Sequence, residues 1–504
     1  MGFVLLPTLH PFYMHALPKI AIIGSGISGL AAAHALCGKA EVTLFEAGAY
    51  FGGHTNTVDV TLPAPGGTVT HGVDTGFLVF NERTYPNLIK LLADLKVETA
   101  KSDMSFSVKA SGGNDATGGK GATGGRSLEW SGSSLNSVFA QRRNLVSWRF
   151  VRMLRDVLRF NALATQLATG LASPGEDAGL MQPLGEFLNQ HGFSAEFRDW
   201  YFLPVIGCIW SCPIDQMLHF PVATMIRFCH NHGLLQVSNR PQWWTVKGGA
   251  RQYVEKITSE IADKRLNTLV RRIERDATGV RVITDGGSEC FDKVVLATHS
   301  DQALALLSDA SLLERATLGA IRYQPNRAVL HTDASVLPRR KLAWAAWNYE
   351  RDERGLGLAA GQATQSMKSI ESPESSQASQ VCLHYLINKL QPVPFTQPVV
   401  VSLNPMREIP RAHVLGEFDY AHPVFDLAAM AAQANMPKLQ GHKNTFFCGA
   451  WMGYGFHEDG LKAGLAAAKS LLSEFARRAP VSHPPAQPPS RSLERDRIQT
   501  PAMV

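Results

Sequence analysis

The 504 residues carry 49 basic and 43 acidic side chains, a net charge of +6, and are 45% hydrophobic and 18% charged. That composition excludes wholesale disorder and allows two or three domains. The longest same-sign run is the triplet Arg339-Arg340-Lys341, so no nucleic-acid-binding tail is expected. Seven scattered cysteines fit reduced thiols in a cytoplasmic protein better than a disulfide framework. The close pair Cys208 and Cys212 lacks a second Cys or His pair at zinc-ligand spacing, so it reads as structural and no metal site is expected. No apolar run approaches the ~20 residues needed to cross a bilayer, and Met1 to Leu17 lacks the cationic start of a signal peptide.

In chain order, Ile20 to Ile23 is a continuously apolar run, the pattern of a buried parallel strand. Gly24-Ser25-Gly26-Ile27-Ser28-Gly29 follows, then an Ala-rich helix over Leu30 to Leu36 and a strand over Val42 to Phe45, ending at Glu46. Ser111 to Ser133 is rich in Gly and Ser and is expected to be a flexible inserted loop. Arg142 to Leu234 reads as helical, with Arg149, Arg152, Arg155 and Arg159 at helical spacing. Such a face serves either as a solvated surface or as a dock for a membrane surface or an acyl carrier. Strands are expected at Thr268 to Ile273, Val280 to Thr284 and Lys293 to Thr298 as a meander, with turns at Asp276 to Gly279 and Asp285 to Gly287. Further strands are expected at Arg327 to His331, Ala343 to Tyr349, Val381 to Asn388 and Val399 to Leu403, with a polar loop over Gln362 to Gln380. A strand over Thr445 to Cys448 and a helix over Glu458 to Phe475 precede a Pro-, Ser- and Arg-rich tail beyond Arg478, expected to be disordered.

The glycine pattern at 24, 26 and 29 lies between a strand and a helix, and Glu46 stands 20 residues after Gly26. This is the context of a dinucleotide site. Gly24 permits the tight turn, Gly26 lets backbone N–H groups approach a pyrophosphate, and Gly29 allows close helix packing. The helix N-terminus adds about half a positive charge. Glu46 can accept a ribose hydroxyl and argues against a ribose 2′-phosphate. Gly52-Gly53 with His54-Thr55-Asn56-Thr57 adds a further backbone approach to the same cofactor.

Glu46-Ala47 followed by Gly52-Gly53 resembles the FAD-dependent flavoproteins that include amine oxidases, phytoene desaturases and protoporphyrinogen oxidases, and the resemblance runs from about Lys19 to Leu472. It implies an α/β fold with FAD as cofactor: a discontinuous Rossmann-like FAD-binding domain carrying an inserted α+β substrate domain. The implied segments are an N-terminal extension (1–17), cofactor domain (18–104, 245–305 and 440–477), substrate domain (105–244 and 306–439) and tail (478–504). Beyond Gly24, Ser25, Gly26, Ile27, Ser28, Gly29, Glu46, Ala47, Gly53, His54 and Thr55, the resemblance implies cofactor contacts from five later segments. Val73-Asp74-Thr75-Gly76 resembles the stretch beside the flavin ring, giving Thr75 and Gly76. Leu269-Val270 resembles the adenine-side contact, and Lys293 to Thr298 the strand returning to the cofactor domain, giving Val270 and Thr298. Thr445 to Ala450 and Gly453 to Leu461 resemble the C-terminal flavin motif, giving Gly449, Asp459, Gly460 and Leu461, the last three at a helix start whose N–H groups can face the cofactor.

The strings Gly52 to Thr57, Trp130 to Ser134, Thr298 to Gln302 and Gly453 to Gly460 are similar to the predicted NAD/FAD-binding proteins associated with cyclopropane-fatty-acid synthases. That narrower likeness implies a lipid-acyl substrate, oxidised by hydride transfer from C–H to flavin N5, and a functional association with a synthase-like methyltransferase. It also admits a membrane-peripheral location. His54 stands where many amine oxidases carry arginine, and His299 where they often carry proline. The alternatives are a flavin amine oxidase and a non-catalytic FAD-binding accessory subunit. Catalytic residues are left unassigned. Arg327 is a candidate for the region near N5, with an ion pair as its plainer role. Trp243 to Gly249 is expected to return the chain to the flavin through Gly248-Gly249, and His230 and His232 read as solvated or capping residues.

Overall fold

The computed structural model describes residues 17–111, 127–170, 182–211, 213–236, 240–352 and 381–478. Its centre is a parallel five-stranded sheet in the order Asp263–Arg265, Glu41–Phe45, Lys19–Ile23, Lys293–Leu296, Thr445–Phe447. The apolar run after Lys19 is continuous because both faces of this strand are covered: Ile20 and Ile22 enter one hydrophobic core, Ala21 and Ile23 another. The first core includes helix Ile27–Leu36, which lies on helix His457–Arg478. These helices touch through backbone; a Cβ on Gly464 would fall 2.1 Å from Ser28 O. The second core lies under an antiparallel meander of Val270–Arg275, Val280–Thr284 and Gly287–Phe291.

A seven-stranded sheet follows the order Val414–Val424, Arg322–His331, Val400–Leu403, Cys382–Leu386, Trp347–Asp352, Phe106–Ser111, Leu128–Ser131. Period-2 alternation separates its faces. Leu383 and Tyr349 join the main core, whereas Leu386, Val400 and Val329 join a small separate one. On that second face a polar chain crosses the strands: Lys109 Nζ meets Glu350 at 2.7 Å, Glu350 meets His384 at 3.0 Å, and Ser402 Oγ joins His384 (2.7 Å) to His331 (2.6 Å). Helices Trp148–Gly170, Leu203–Trp210 and Val222–Asn231 form the helical layer. Among the described residues no helix is long and apolar enough to cross a membrane.

Several expectations need correction. The third meander strand is Gly287–Phe291, four of whose five residues are exposed and give no apolar signal, while Lys293–Leu296 belongs to the parallel sheet. Leu128–Ser131, inside the expected Gly/Ser loop, is a buried strand paired with Phe106–Ser111, because Leu128 and Trp130 have an apolar face to fill. The stretch expected as strand from Ala343 begins only at Trp347, after a 3-10 turn at Lys341–Ala343. Val381 to Asn388 splits into strand Cys382–Leu386 and a helical turn Ile387–Leu390. The hairpin Thr57–Ala64 with Gly67–Asp74 and the edge strand Val414–Val424 were not foreseen. Most of the N-terminal extension, the Gly-rich residues 112–126, the loop 362–380 and the tail 479–504 lie outside the described residues.

Candidate active site

One cavity of about 690 Å³ runs from the parallel sheet into the substrate-side layers. Its first end is made by the strand–helix turn. Gly24 takes φ +100° and donates to Phe45 O at 2.8 Å, turning the chain so that Ser25, Gly26 and Ile27 line the cavity with Ser28. Glu46 binds this loop from the neighbouring strand: Oε2 accepts Ser25 N at 3.0 Å and Ser25 Oγ at 2.5 Å, and Oε1 accepts Gly48 N at 2.8 Å. Ser25 Oγ in turn accepts Gly52 N at 3.1 Å, and Gly26 pairs with Gly52 across a parallel bridge. The turn at 24–26 and the connection after Phe45 are thus joined by one carboxylate and one hydroxyl.

The middle of the cavity holds histidines. His54 stacks on Tyr420 at 4.8 Å and lies 5.3 Å from His422 and 6.5 Å from His299, which itself stacks on Tyr323 at 4.3 Å. Asn326 Nδ2 donates to His422 Nδ1 at 2.8 Å. His457 stacks on Phe77 at 3.8 Å and shares a 2.7 Å hydrogen bond with Tyr253 OH. Burial lowers all four imidazoles below the usual range, His422 to about 4 and His457 to about 3, so each is neutral at pH 7.

The far end is apolar and aromatic, with Met104, Ile209, Leu234, Trp243, Trp347 and Tyr385 in its wall. Alternation on adjacent antiparallel strands puts Trp347 and Tyr385 opposite each other, ring centroids 5.0 Å apart. His232 is buried here, stacked on Phe228 at 3.9 Å, with Nδ1 donating to Phe228 O at 3.1 Å; burial lowers its pKa to about 4. Among all the described lining residues, only Glu46 carries a fixed charge.

Of the residues singled out in the sequence, Gly24, Ser25, Gly26, Ile27, Ser28, Glu46, Ala47, Gly53, His54, Gly76, Val270, Thr298 and Gly449 line this cavity. Six others stand behind its wall. A Cβ on Gly29 would lie 1.9 Å from Gly24 O, so Gly29 serves helix packing. Thr55 Oγ1 bonds Tyr253 OH at 2.5 Å, and Thr75 Oγ1 bonds Tyr420 OH at 2.7 Å. Asp459 lines an adjoining cavity of about 280 Å³ and accepts Phe456 N at 3.0 Å and Tyr454 N at 3.1 Å, fixing the turn before its own helix. The Gly460 N–H is taken by Phe456 O at 3.1 Å and is not free for a cofactor; Leu461 is core.

Arg327 is an exposed ion-pair partner of Glu408 and Glu417 and does not line the cavity. Gly248 and Gly249 pack against Gly72 and Thr57 of the hairpin rather than the cavity, leaving Trp243 as the contact from that segment. His232 is the C-cap of helix Val222–Asn231, as the capping alternative had it, but it is buried rather than solvated and its ring closes an aromatic wall. His422, Tyr323, Trp347 and Tyr385 were not foreseen; alternation within each strand gives two faces, and only the pairing of the strands puts Trp347 and Tyr385 on one of them.

The cavity suits an elongated dinucleotide. A Cβ on Gly26 would meet no atom within 4 Å, so this face of the loop opens into free space, and the first-turn N–H groups of helix Ile27–Leu36 lack intrahelical acceptors. Midway along, His54 Nε2 is sequestered with no protein partner. Sheet order, glycine turn and continuous groove define a dinucleotide-binding protein. The chain belongs to the flavin-containing amine oxidoreductase family, whose profile matches residues 27–341, and it is accordingly an FAD-dependent oxidoreductase. No curated protein matches the chain.

Among solved structures, it is similar to a cyclohexylamine oxidase from Brevibacterium oxydans IH-35A, at 18% identity and TM-score 0.59 over 91% of this chain and 100% of that one. It is similar to a CLA-producing fatty acid isomerase from P. acnes at 17% identity and TM-score 0.57, covering 91% and 98%. A putrescine oxidase bound to putrescine matches at 16% identity and TM-score 0.59, covering 91% and 99%. At these identities the likeness establishes the fold.

Proposed function

We propose that the protein oxidises an apolar, lipid-acyl substrate. One observation carries this reading: the chamber beyond the histidines is walled by Met104, Ile209, Leu234, Trp243, Trp347 and Tyr385, and among the described residues no carboxylate stands there to receive an ammonium group. An alkyl chain gains from such a wall about 25 cal/mol for each Å² it removes from water, whereas a buried cation without a counter-charge is expensive. FAD, which the Gly24–Ser28 turn and Gly53 would hold, would supply a two-electron acceptor for hydride from a substrate C–H. The chain's own residues bind and orient the alkyl segment, exclude water through Phe228 and Phe456, stacked 5.0 Å apart, and keep the surroundings uncharged. His232, with its Nδ1 proton on Phe228 O, keeps a free lone pair on Nε2 that can accept the departing proton. The fatty acid isomerase among the structural neighbours supports an acyl ligand on this fold.

A second reading, amine oxidation, is favoured by the family itself and by the aromatic pair Trp347 and Tyr385, whose faces can hold a cation. Anaerobic titration of the FAD-loaded protein decides between them. Bleaching of the flavin band by phospholipid extract, with a lipid product two hydrogens poorer by mass spectrometry, is the expected result. Bleaching by cyclohexylamine or putrescine while lipid stays inert would overturn it.

A further inference from the structure

We infer that the face built from Arg142–Val146 and the outer side of helix Trp148–Gly170 is a docking surface for an anionic phospholipid bilayer. Between Leu135 and Gly170 the chain places Arg142, Arg143, Arg149, Arg152, Arg155 and Arg159 but a single acid, Asp156. Asp156 is turned inward, where it accepts Ser194 N at 3.0 Å. Two arginines are neutralised and fixed: Arg149 by Glu196 at 2.6 Å, beside the Trp200 ring, and Arg159 by Asp156 at 3.6 Å, over Phe193. The other four retain their charge. Among the described residues Arg142 and Arg143 bind only neutral acceptors, including Asn136 Oδ1, Phe139 O and Gln141 Oε1. Arg152 and Arg155 are exposed and have no acidic partner among the described residues.

A solvated basic face would stop at charge; this one also exposes bulky apolar side chains. Val146 is 89% exposed, Trp148 70%, Leu158 61% and Leu145 54%, with Val151 at 43% beside them. At 100° per residue, Trp148, Val151, Arg152, Arg155 and Leu158 share the side of the helix opposite the buried Phe150, Met153, Phe160 and Ala164. Interleaved arginine and apolar anchors, with a tryptophan at the helix start, suit the headgroup boundary of a bilayer, where aliphatic stems and rings enter and guanidinium groups stay with phosphate. An acidic protein would need the arginines but not five solvated apolar side chains. Inward of this face, the helix packs on Val222–Asn231, whose Phe228 lines the cavity, so docking places the substrate-side layer next to lipid. The surface is independent of the redox reading and is measured without turnover.

The FAD-loaded full chain is sedimented with vesicles of phosphatidylglycerol or of phosphatidylcholine. Binding to the anionic vesicles alone at low ionic strength, with release in about 0.5 M salt, is expected. Each arginine near such a surface contributes about fivefold in partitioning, so Arg152→Gln with Arg155→Gln should weaken binding roughly 30-fold. Neutralising Lys39 and Lys438, elsewhere on the surface, should leave binding unchanged. Brominated lipid should quench the parent's tryptophan emission and quench Trp148→Phe far less, a readout that uses a conservative surface change. No binding to anionic vesicles, equal binding to both lipids, or equal loss in the lysine control would overturn the proposal. Soluble polyglutamate held as tightly as vesicles, without Trp148-dependent quenching, would assign the face to an acidic protein instead.

Discussion

Glu46 is the residue whose removal tests the cofactor site most directly. Its carboxylate accepts Ser25 N, Ser25 Oγ and Gly48 N, and through Ser25 Oγ it also steadies Gly52. Truncation to alanine leaves two backbone N–H groups and one hydroxyl without their acceptor. The site is part-buried, so water partly replaces the carboxylate, and each bond is taken at about 1 kcal/mol rather than the upper figure for a charged acceptor. Three bonds amount to about 3 kcal/mol of loop order, which FAD must then supply on binding. Glu46→Ala should therefore bind FAD roughly a hundredfold more weakly in a titration of apoprotein followed by flavin fluorescence. Glu46→Gln, keeping one acceptor oxygen, should fall between variant and parent. A Glu46→Ala protein with the parent's circular dichroism and an FAD Kd within about threefold of the parent would refute the assignment of Glu46 as the organiser of this loop.

Other outcomes follow from the same geometry. Ile209→Trp should fill the far chamber and lower turnover more than about tenfold while leaving the FAD Kd unchanged, since that wall lies away from the glycine loop; steady-state kinetics beside FAD titration separates the two. Arg275 is buried against Glu314, with oxygens at 2.6 and 3.1 Å, and also meets Asp309 at 2.9 Å; Glu314→Ala leaves it the second partner, so the fold should lose about 2–3 kcal/mol in urea unfolding. Acidification should also destabilise it. Burial lowers His232, His331 and His422 to about 4 and His457 to about 3, so the unfolded chain binds protons first and stability is lost as pH falls from about 6.5 through 4. Asp74, raised by burial to about 7, and Asp459, raised to about 6, oppose this, because their stabilisation is lost as pH rises through those values. Each buried histidine is worth about 2 kcal/mol between pH 6.5 and 5, and the net fall is of order 4 kcal/mol; urea midpoints that rise over this interval would contradict it.

The strand–turn–helix around Gly24 was legible because its determinants are local: an unbroken apolar run, three glycines and an acid at the next strand end. The resemblance extended that reading to Val270, Thr298 and Gly449, which the fold brings to the same cavity. Elsewhere local signals misled. The strand Val414–Val424 had no signal of its own, since it contains Gly416 and Pro423; at a sheet edge a missing N–H is tolerated. That strand delivers His422, which explains why the histidine cluster was invisible as a cluster. Asp459 was assigned by position in a motif; its Oδ2 accepts the Tyr454 and Phe456 N–H groups, a local contact that spacing does not reveal. The aromatic chamber depends on pairings between segments far apart in the chain, for which no periodicity within one segment gives the partner.

The parallel sheet takes its central strand from Lys19–Ile23 and its outermost from Thr445–Phe447, and helix Ile27–Leu36 rests on His457–Arg478. During synthesis the phosphate loop therefore leaves the ribosome long before the wall that closes it. The nascent chain must keep its earliest βαβ unit open, with one flank of the sheet unpaired, until the final helix emerges. Capture of the dinucleotide is consequently a late event, and a chain interrupted between Leu296 and Thr445 leaves the apolar strand Lys293–Leu296 as the unpaired edge.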